Sequence, residues 1–130
     1  MITQEFYYKP WYGRLYPMIN AAVHSNTKTT FVDALVDSGA DFCCFGNDVA
    51  RLLGIEIEKG VKIELKGVTE DFAAYFHEIE LQLFNKRIKC KVAFTNNPYF
   101  ETNILGRLGF FETHEITFKE NEKKMEIKEV

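Results

Sequence analysis

An apolar strand that runs directly into an acidic turn is the feature that most constrains this chain of 130 residues. Ala34, Leu35 and Val36 are followed at once by Asp37-Ser38-Gly39-Ala40-Asp41. This order predicts a carboxylate at the end of a strand, with a small hydroxyl and a glycine beside it. Turns often use the same residue types, so the segment taken alone is equally typical of a capped turn.

A second motif farther along the chain gives the first one a more specific interpretation. Asn103 is followed by the hydrophobic-hydrophobic-Gly-Arg segment Ile104-Leu105-Gly106-Arg107. The acidic motif followed by this segment resembles the retropepsin family of aspartic proteases. From about Leu15 to Ile127, the order of hairpin, acidic loop, strand, flap-like hairpin, strand and Ile-Leu-Gly-Arg also resembles that family. The first 14 residues and a helix after the acidic loop depart from the minimal viral pattern, and the helix is more similar to cellular and bacterial members.

The resemblance implies a catalytic role for Asp37 in a homodimer. Retropepsins are small single-domain proteases in which one chain supplies half of the active site. Two carboxylates about 3 Å apart cannot both stay ionised, so they share one proton and activate a water between them. This chain carries one such motif, so a second copy must supply the partner carboxylate. The alternative for Asp37 is a residue that merely caps a turn.

Residues around Asp37 receive supporting roles from the same resemblance. The Ser38 hydroxyl would bond across the two-fold axis to the partner's loop, and Gly39 would allow close backbone approach to substrate. Ala40 completes the motif. Asp41 and Arg107 match a pair that braces the loop and orients substrate, although two unrelated surface charges are the alternative.

The resemblance also implies a flap, a β-hairpin that closes over an extended substrate. Gly67, Val68 and Thr69 match its position. The following Glu70 and Asp71 make the tip acidic rather than glycine-rich, so an ordinary hairpin is the alternative.

Composition supports a folded, strand-rich chain. It is 46% hydrophobic and 15% aromatic, which argues against disorder and favours strands. The net charge of −3 and the lack of a basic stripe argue against a nucleic-acid partner, and no apolar run approaches a membrane span.

Three cysteines, two of them adjacent, suit a reducing compartment, so we expect a cytoplasmic location. Cys43 and Cys44 are expected to pack in the core, and the scattered histidines predict no metal or cofactor.

Strand-like alternation along the chain predicts one domain over residues 1–130. We expect a mostly β fold, a closed antiparallel β-barrel-like acid protease fold with one or two short helices. The predicted elements, in chain order, are strands at 5–8, 15–24 and 29–36, a helix at 47–54, strands at 61–65, 73–84 and 87–94, a short helix at 107–112 and a final hairpin from 116–118 to 124–127. Asn47 is expected to cap the N-terminus of the first helix and Gly54 to close its C-terminus.

Three functions remain open on the sequence alone. The leading hypothesis is an aspartic endopeptidase that acts on peptide or protein substrates as a homodimer. The second is a non-catalytic, dimeric peptide-binding or scaffolding module on the same fold. The third is an unrelated β-barrel binding protein whose motifs arise by chance.

Overall fold

The computed structural model describes residues 2–66 and 70–130 and consists mostly of strands. The strands are β1 (Thr3–Tyr7), β2 (Lys9–Trp11), β3 (Arg14–Tyr16), β4 (Met18–His24), β5 (Thr29–Val36), β6 (Cys44–Phe45), β7 (Val61–Leu65), β8 (Phe72–Gln82), β9 (Ile88–Phe94), β10 (Asn103–Leu105), β11 (His114–Lys119) and β12 (Lys124–Glu129). One α-helix, α1 (Asn47–Leu53), and two 3₁₀ turns, Ile57–Lys59 and Glu120–Glu122, complete the described elements. The prediction of a mostly β fold with one or two short helices is confirmed. No helix among the described residues has the length and apolar character to cross a bilayer.

Six strands close into a ring in the order β4-β5-β10-β6-β9-β8, because β8 also pairs with β4. Four of the six pairings are antiparallel, as the sequence predicted. The other two, β5 with β10 and β6 with β9, are parallel. A parallel pair needs a long crossover connection, and here some 70 residues separate the two strands of the β5–β10 pair. Consequently the carboxyl ends of β5 and β10 lie at the same edge of the barrel.

Residues of β5 explain how the chain leaves the barrel at the acidic motif. Val32, Ala34 and Val36 alternate inward and are buried, whereas Phe31 and Asp33 are exposed. This period of two is the geometry of a strand with one buried face. The inward series ends at Val36, so Asp37 is the first residue past the core.

The core lies inside the barrel and continues under a second, three-stranded sheet. In that sheet β12 lies between β1 and β11 and pairs antiparallel with both. Met125 and Ile127 of β12 are fully buried in the same apolar cluster as the barrel residues. The largest side chains of this cluster with almost no exposure are Phe45, Phe94, Phe110, Ile19, Leu53, Leu81 and Leu105.

Strands β7 and β8 form the hairpin predicted at the flap position. Their antiparallel register runs from Val61 opposite Phe76 to Leu65 opposite Phe72. The predicted flap residues Gly67, Val68 and Thr69 lie outside the described residues.

Helix α1 lies at its predicted position but has a different N-cap. Asn47 was expected to cap the helix, but the N-cap is Gly46, and no side chain bonds the free amides there. The Gly46 amide instead donates to the side chain of Asn103 at 2.9 Å. The expected C-terminal glycine is confirmed, since Gly54 has φ 69° and ends the helix in the left-handed region.

Two other segments differ from the sequence-based expectation. The expected strand at 15–24 is split at Pro17, and its first part pairs with β2 in a small hairpin. The segment expected as a helix at 107–112 forms consecutive turns instead. Gly109 has φ 96°, which is incompatible with a right-handed helix, and the amides of Phe111 and Glu112 bond carbonyls five residues back.

Candidate active site

The two sequence motifs meet at the barrel edge where β5 and β10 end. Ile104 and Leu105 lie beside Leu35 and Val36 in the parallel register. One step beyond the strands, the Asp37 amide donates to the Leu105 carbonyl at 3.0 Å. Because of the parallel pairing, the acidic loop and the Gly106-Arg107 segment lie next to each other.

The Asp37 carboxylate is held by its own loop. Its Oδ1 accepts a hydrogen bond from the Gly39 amide at 2.9 Å, and the Asp37 carbonyl accepts one from the Ala40 amide at 3.2 Å. Asp37 is half-buried, whereas Ser38 and Gly39 are exposed. The hydrogen bond from the Gly39 amide fixes the orientation of the carboxylate. The loop thus presents an oriented carboxylate on an open surface.

Main-chain hydrogen bonds fasten the acidic loop to the second motif. The Arg107 amide donates to the Ala40 carbonyl at 2.9 Å, and the Leu108 amide donates to the Asp41 carbonyl at 2.8 Å. Phe42 and Leu108 form an isolated parallel bridge just beyond. Together with the bond from the Asp37 amide to the Leu105 carbonyl, these contacts hold the loop on both sides of its exposed tip.

The expected ion pair between Asp41 and Arg107 does not form in the single chain. Both residues are exposed. Of the ion pairs within residues 2–66 and 70–130, none joins these two side chains. The main chains on either side are already joined, so the loop is braced without the carboxylate and the guanidinium. A role of either side chain in orienting substrate stays a prediction.

A half-exposed apolar patch lies between the acidic loop and the β7–β8 hairpin. The Phe42 ring packs edge-on against Phe76 with centroids 5.1 Å apart. The residues that share this patch, hereafter the hairpin patch, are Phe42, Ile63, Leu65, Phe76 and Phe100, packed on buried Cys44, Ala74 and Ala93. The flap-like hairpin is therefore in contact with the loop that carries Asp37, through the described bases of its strands.

Cys43 makes contacts that the sequence analysis did not anticipate. Its burial was expected and is complete, at 0% exposure. Its Sγ lies between the Gly106 amide, at 3.4 Å, and the Leu108 carbonyl, at 3.6 Å. The sequence places Cys43 two residues after Asp41, which is a signal that it lies near the acidic loop. No local sequence pattern indicates which main-chain groups a buried thiol will contact.

Comparisons with known proteins agree with this architecture. No family model and no curated protein matches the sequence. Among solved structures, the chain is similar to a retropepsin-like aspartic protease from Rickettsia conorii, with 18% identity, a TM-score of 0.64 and coverage of 97% of this chain and 90% of that one. It is also similar to the EIAV protease solved with an inhibitor, with 19% identity, a TM-score of 0.56 and coverage of 76% of this chain and 88% of that one. The chain therefore has the retropepsin-like aspartic protease fold.

Proposed function

We propose that this chain is an aspartic endopeptidase that hydrolyses peptide bonds as a two-fold homodimer. The observation that carries the proposal is the oriented Asp37 carboxylate on an exposed loop, held by the Gly39 amide and fastened to the Gly106-Arg107 segment. The similarity to solved aspartic proteases supports a protease function for this fold.

The chemistry requires two Asp37 carboxylates, one from each subunit. They hold one water and share one proton, because two like charges in contact cannot both stay ionised. The ionised carboxylate takes a proton from the water, which attacks the scissile carbonyl carbon. The protonated carboxyl donates its proton to the carbonyl oxygen, which gives a tetrahedral gem-diol. The carboxyl that took the water proton then passes it to the amide nitrogen as the C–N bond breaks, the other carboxylate takes a proton from a hydroxyl of the gem-diol, and the carboxylic acid and amine leave.

Exposure of the loop supports the need for a second copy. Ser38 and Gly39 are exposed at the tip while the rest of the loop is tied down from behind. A rigid base with an open tip suits a contact with an identical loop across a two-fold axis. In this arrangement Ser38 donates its hydroxyl to the partner loop and holds the carboxylates in register.

The hairpin patch supports a preference for apolar residues beside the cleaved bond. Its aromatic and aliphatic side chains are half-exposed, next to the loop that carries Asp37. An extended peptide can pair through its main chain and place alternate side chains in such pockets. We therefore expect cleavage between hydrophobic residues.

Asp37→Asn tests the catalytic assignment. An amide matches the carboxylate in size but cannot act as the base, so we expect loss of cleavage with the fold kept. Wild type and variant are compared on an unbiased peptide library from mildly acidic to neutral pH. Asp48→Asn is the matched control, since Asp48 is an exposed residue of α1 that pairs with Arg51.

Each outcome of this experiment decides between functions. Cleavage by wild type and Asp48→Asn, but not by Asp37→Asn, supports the proposal. Equal residual cleavage by all three proteins assigns the activity to another site or a contaminant. Binding of peptides by wild type without cleavage at any pH favours the non-catalytic, dimeric peptide-binding module instead.

A further inference from the structure

We propose that Cys43 is a positioning residue for catalysis, whose buried thiol sets the spacing between the Asp37 loop and the Gly106–Leu108 segment. The inference rests on the proposed protease function and adds a residue that touches neither substrate nor water.

Main-chain partners satisfy four of the six polar groups in this segment. The amides of Arg107 and Leu108 donate to the carbonyls of Ala40 and Asp41. The carbonyls of Gly106 and Arg107 accept from the amides of Phe111 and Glu112. The four bonds are 2.8 to 3.2 Å long. The two groups left are the Gly106 amide and the Leu108 carbonyl.

The Cys43 thiol supplies partners for both remaining groups. Its sulfur accepts from the Gly106 amide at 3.4 Å, and its S–H donates to the Leu108 carbonyl at 3.6 Å. Buried main-chain groups are almost always paired, and an unpaired one is costly. Gly106 and Cys43 are both buried, so water does not easily replace the sulfur at the Gly106 amide, whereas Leu108 is exposed and its carbonyl depends less on the thiol.

The thiol keeps its proton at neutral pH, as donation to Leu108 requires. Burial raises the pKa of Cys43 to about 11, although the amides of Gly106 and Phe110 that face the sulfur oppose the shift. A thiol can therefore act as donor and acceptor at once in this place.

A short path connects the thiol to the catalytic carboxylate. Gly106 directly follows Leu105, whose carbonyl accepts the Asp37 amide. On its other side, Gly106 lies against the carbonyl of Phe42, the residue before Cys43. A shift of Gly106 therefore moves both ends of the acidic loop. Two carboxylates that must meet across an axis tolerate little displacement, since misplacement by about 1 Å can cost on the order of 100-fold in rate.

Cys90 offers a matched control in the same part of the core. A β-carbon on Gly109 would lie 3.7 Å from the sulfur of Cys43 and 3.7 Å from that of Cys90. Cys90 is buried, at 8% exposure. Among the hydrogen bonds of the described residues, its sulfur makes none to Gly106–Leu108. Truncation at either cysteine therefore opens a similar cavity, but only truncation at Cys43 removes the two main-chain contacts.

The test compares Cys43→Ala and Cys43→Ser with Cys90→Ala and Cys90→Ser. We expect Cys43→Ala to lower kcat by about 10- to 100-fold with little change in KM, since it displaces reacting groups rather than substrate contacts. Cys43→Ser retains a donor and an acceptor on a shorter side chain and should recover part of kcat. Both Cys90 variants should keep kcat per folded dimer. Equal kcat values at the two positions, or full kcat in Cys43→Ala, would overturn the proposal.

A second measurement separates this proposal from the proposed function. Amide hydrogen exchange at Gly106 needs no activity, and Cys43→Ala should speed it by at least about tenfold relative to Cys90→Ala, because an unpaired amide is less protected. Unchanged exchange at Gly106 overturns the role of Cys43 whatever the activity. A wild type that cleaves nothing overturns the protease function, and exchange then still decides whether the thiol holds Gly106. Should Cys43→Ala not fold, Cys43→Val fills a similar volume without a hydrogen-bonding atom, and its kcat and Gly106 exchange relative to Cys90→Val give the same decision.

Discussion

Gly106 lies so close to Phe42 that a β-carbon at position 106 would be 2.3 Å from the Phe42 carbonyl oxygen. The same β-carbon would be 2.9 Å from the carbonyl oxygen of Ala40. Both atoms belong to the main chain and cannot rotate away. The close approach of Gly106 to the acidic loop therefore depends on the lack of a side chain at position 106, not on a special backbone angle.

Gly106→Ala should destabilise the protein and abolish its activity. Overpacking against a fixed backbone costs about 1–3 kcal/mol of unfolding free energy, and the displacement falls on the acidic loop. Urea unfolding of wild type and variant measures the loss. Gly46→Ala is the control, because the nearest atom to a β-carbon there is 3.5 Å away and φ is −83°. Equal unfolding midpoints for wild type and Gly106→Ala would show that the loop yields easily and that this close contact is unimportant.

Local patterns were sufficient to predict four of the six barrel strands, β4, β5, β8 and β9, whereas the short strands β6 and β10 were not predicted. Alternation in β5 has a direct physical cause, since one face of the strand meets the core and the other is largely exposed, whereas in β7 Ile63 and Leu65 are only half-buried and Val61 is exposed. The C-terminal end of α1 followed from Gly54, whereas the N-cap expected from Asn47 was wrong. These are properties of neighbouring residues, and the sequence displays them.

Features that lack a local sequence signal, or that depend on distant partners, could not be predicted in the same way. The β2–β3 hairpin turns at Tyr12 and Gly13, where Tyr12 has φ 48°, and a tyrosine gives no signal for such a turn. Asp41 and Arg107 were expected to pair through their side chains, but main-chain hydrogen bonds already join the two segments. The two sulfur contacts of Cys43 depend on residues more than 60 positions away.

Cleavage should require assembly of two chains, because each chain supplies one Asp37. Specific activity should fall on dilution in parallel with the dimer fraction measured by light scattering. Undiminished activity of a strict monomer would contradict the shared site.

Subunit mixing gives a sharper form of the same test. Excess Asp37→Asn protein should suppress wild-type activity, since a mixed dimer retains only one carboxylate of the pair. An equal mass of an unrelated protein is the control. If activity simply follows the amount of wild-type chain, each subunit works alone.

Stability should fall as the pH drops from 7 to 5 because of His114. The ring is 2% exposed, is stacked on Phe110 with centroids 4.5 Å apart, and leaves Nε2 without a partner. Burial lowers the pKa of His114 below its ordinary value of 6.5, although the Phe110 carbonyl and the Glu129 carboxylate oppose the shift. The unfolded chain therefore binds a proton that the folded chain does not. The contribution of the neutral His114 ring to the unfolding free energy is therefore complete above pH 6.5. It decreases as the pH falls through 6.5 toward the lower pKa of the folded state.

Urea unfolding of wild type and His114→Asn at several pH values measures this contribution. The slope between pH 7 and 5 should be smaller in the variant, whatever its absolute stability. The Glu120 and Glu126 carboxylates do not interfere in this window. Hydrogen bonds from Lys123 and Lys119 hold the pKa values of Glu120 and Glu126 below their ordinary 4.5. Protonation of these two carboxylates therefore destabilises the fold only at lower pH. Identical slopes would show that His114 does not link stability to pH.

Acidic residues beside the flap position should disfavour acidic substrates. Glu70 and Asp71 are exposed at the end of the β7–β8 hairpin, and Glu58 lines the same surface cavity as Glu70. Exposed charges repel like charges weakly and are screened by salt, so we expect a discrimination of about two- to fivefold that declines in high salt. Cleavage-site profiling at low and high salt measures it. Glu70→Gln with Asp71→Asn should remove the effect, whereas Asp48→Asn with Glu56→Gln, an equal change in charge at exposed positions elsewhere, should leave it in place. A strong preference of the wild type for acidic residues flanking the cleaved bond would contradict a flap role for this hairpin tip and would require a different function for Gly67 to Asp71.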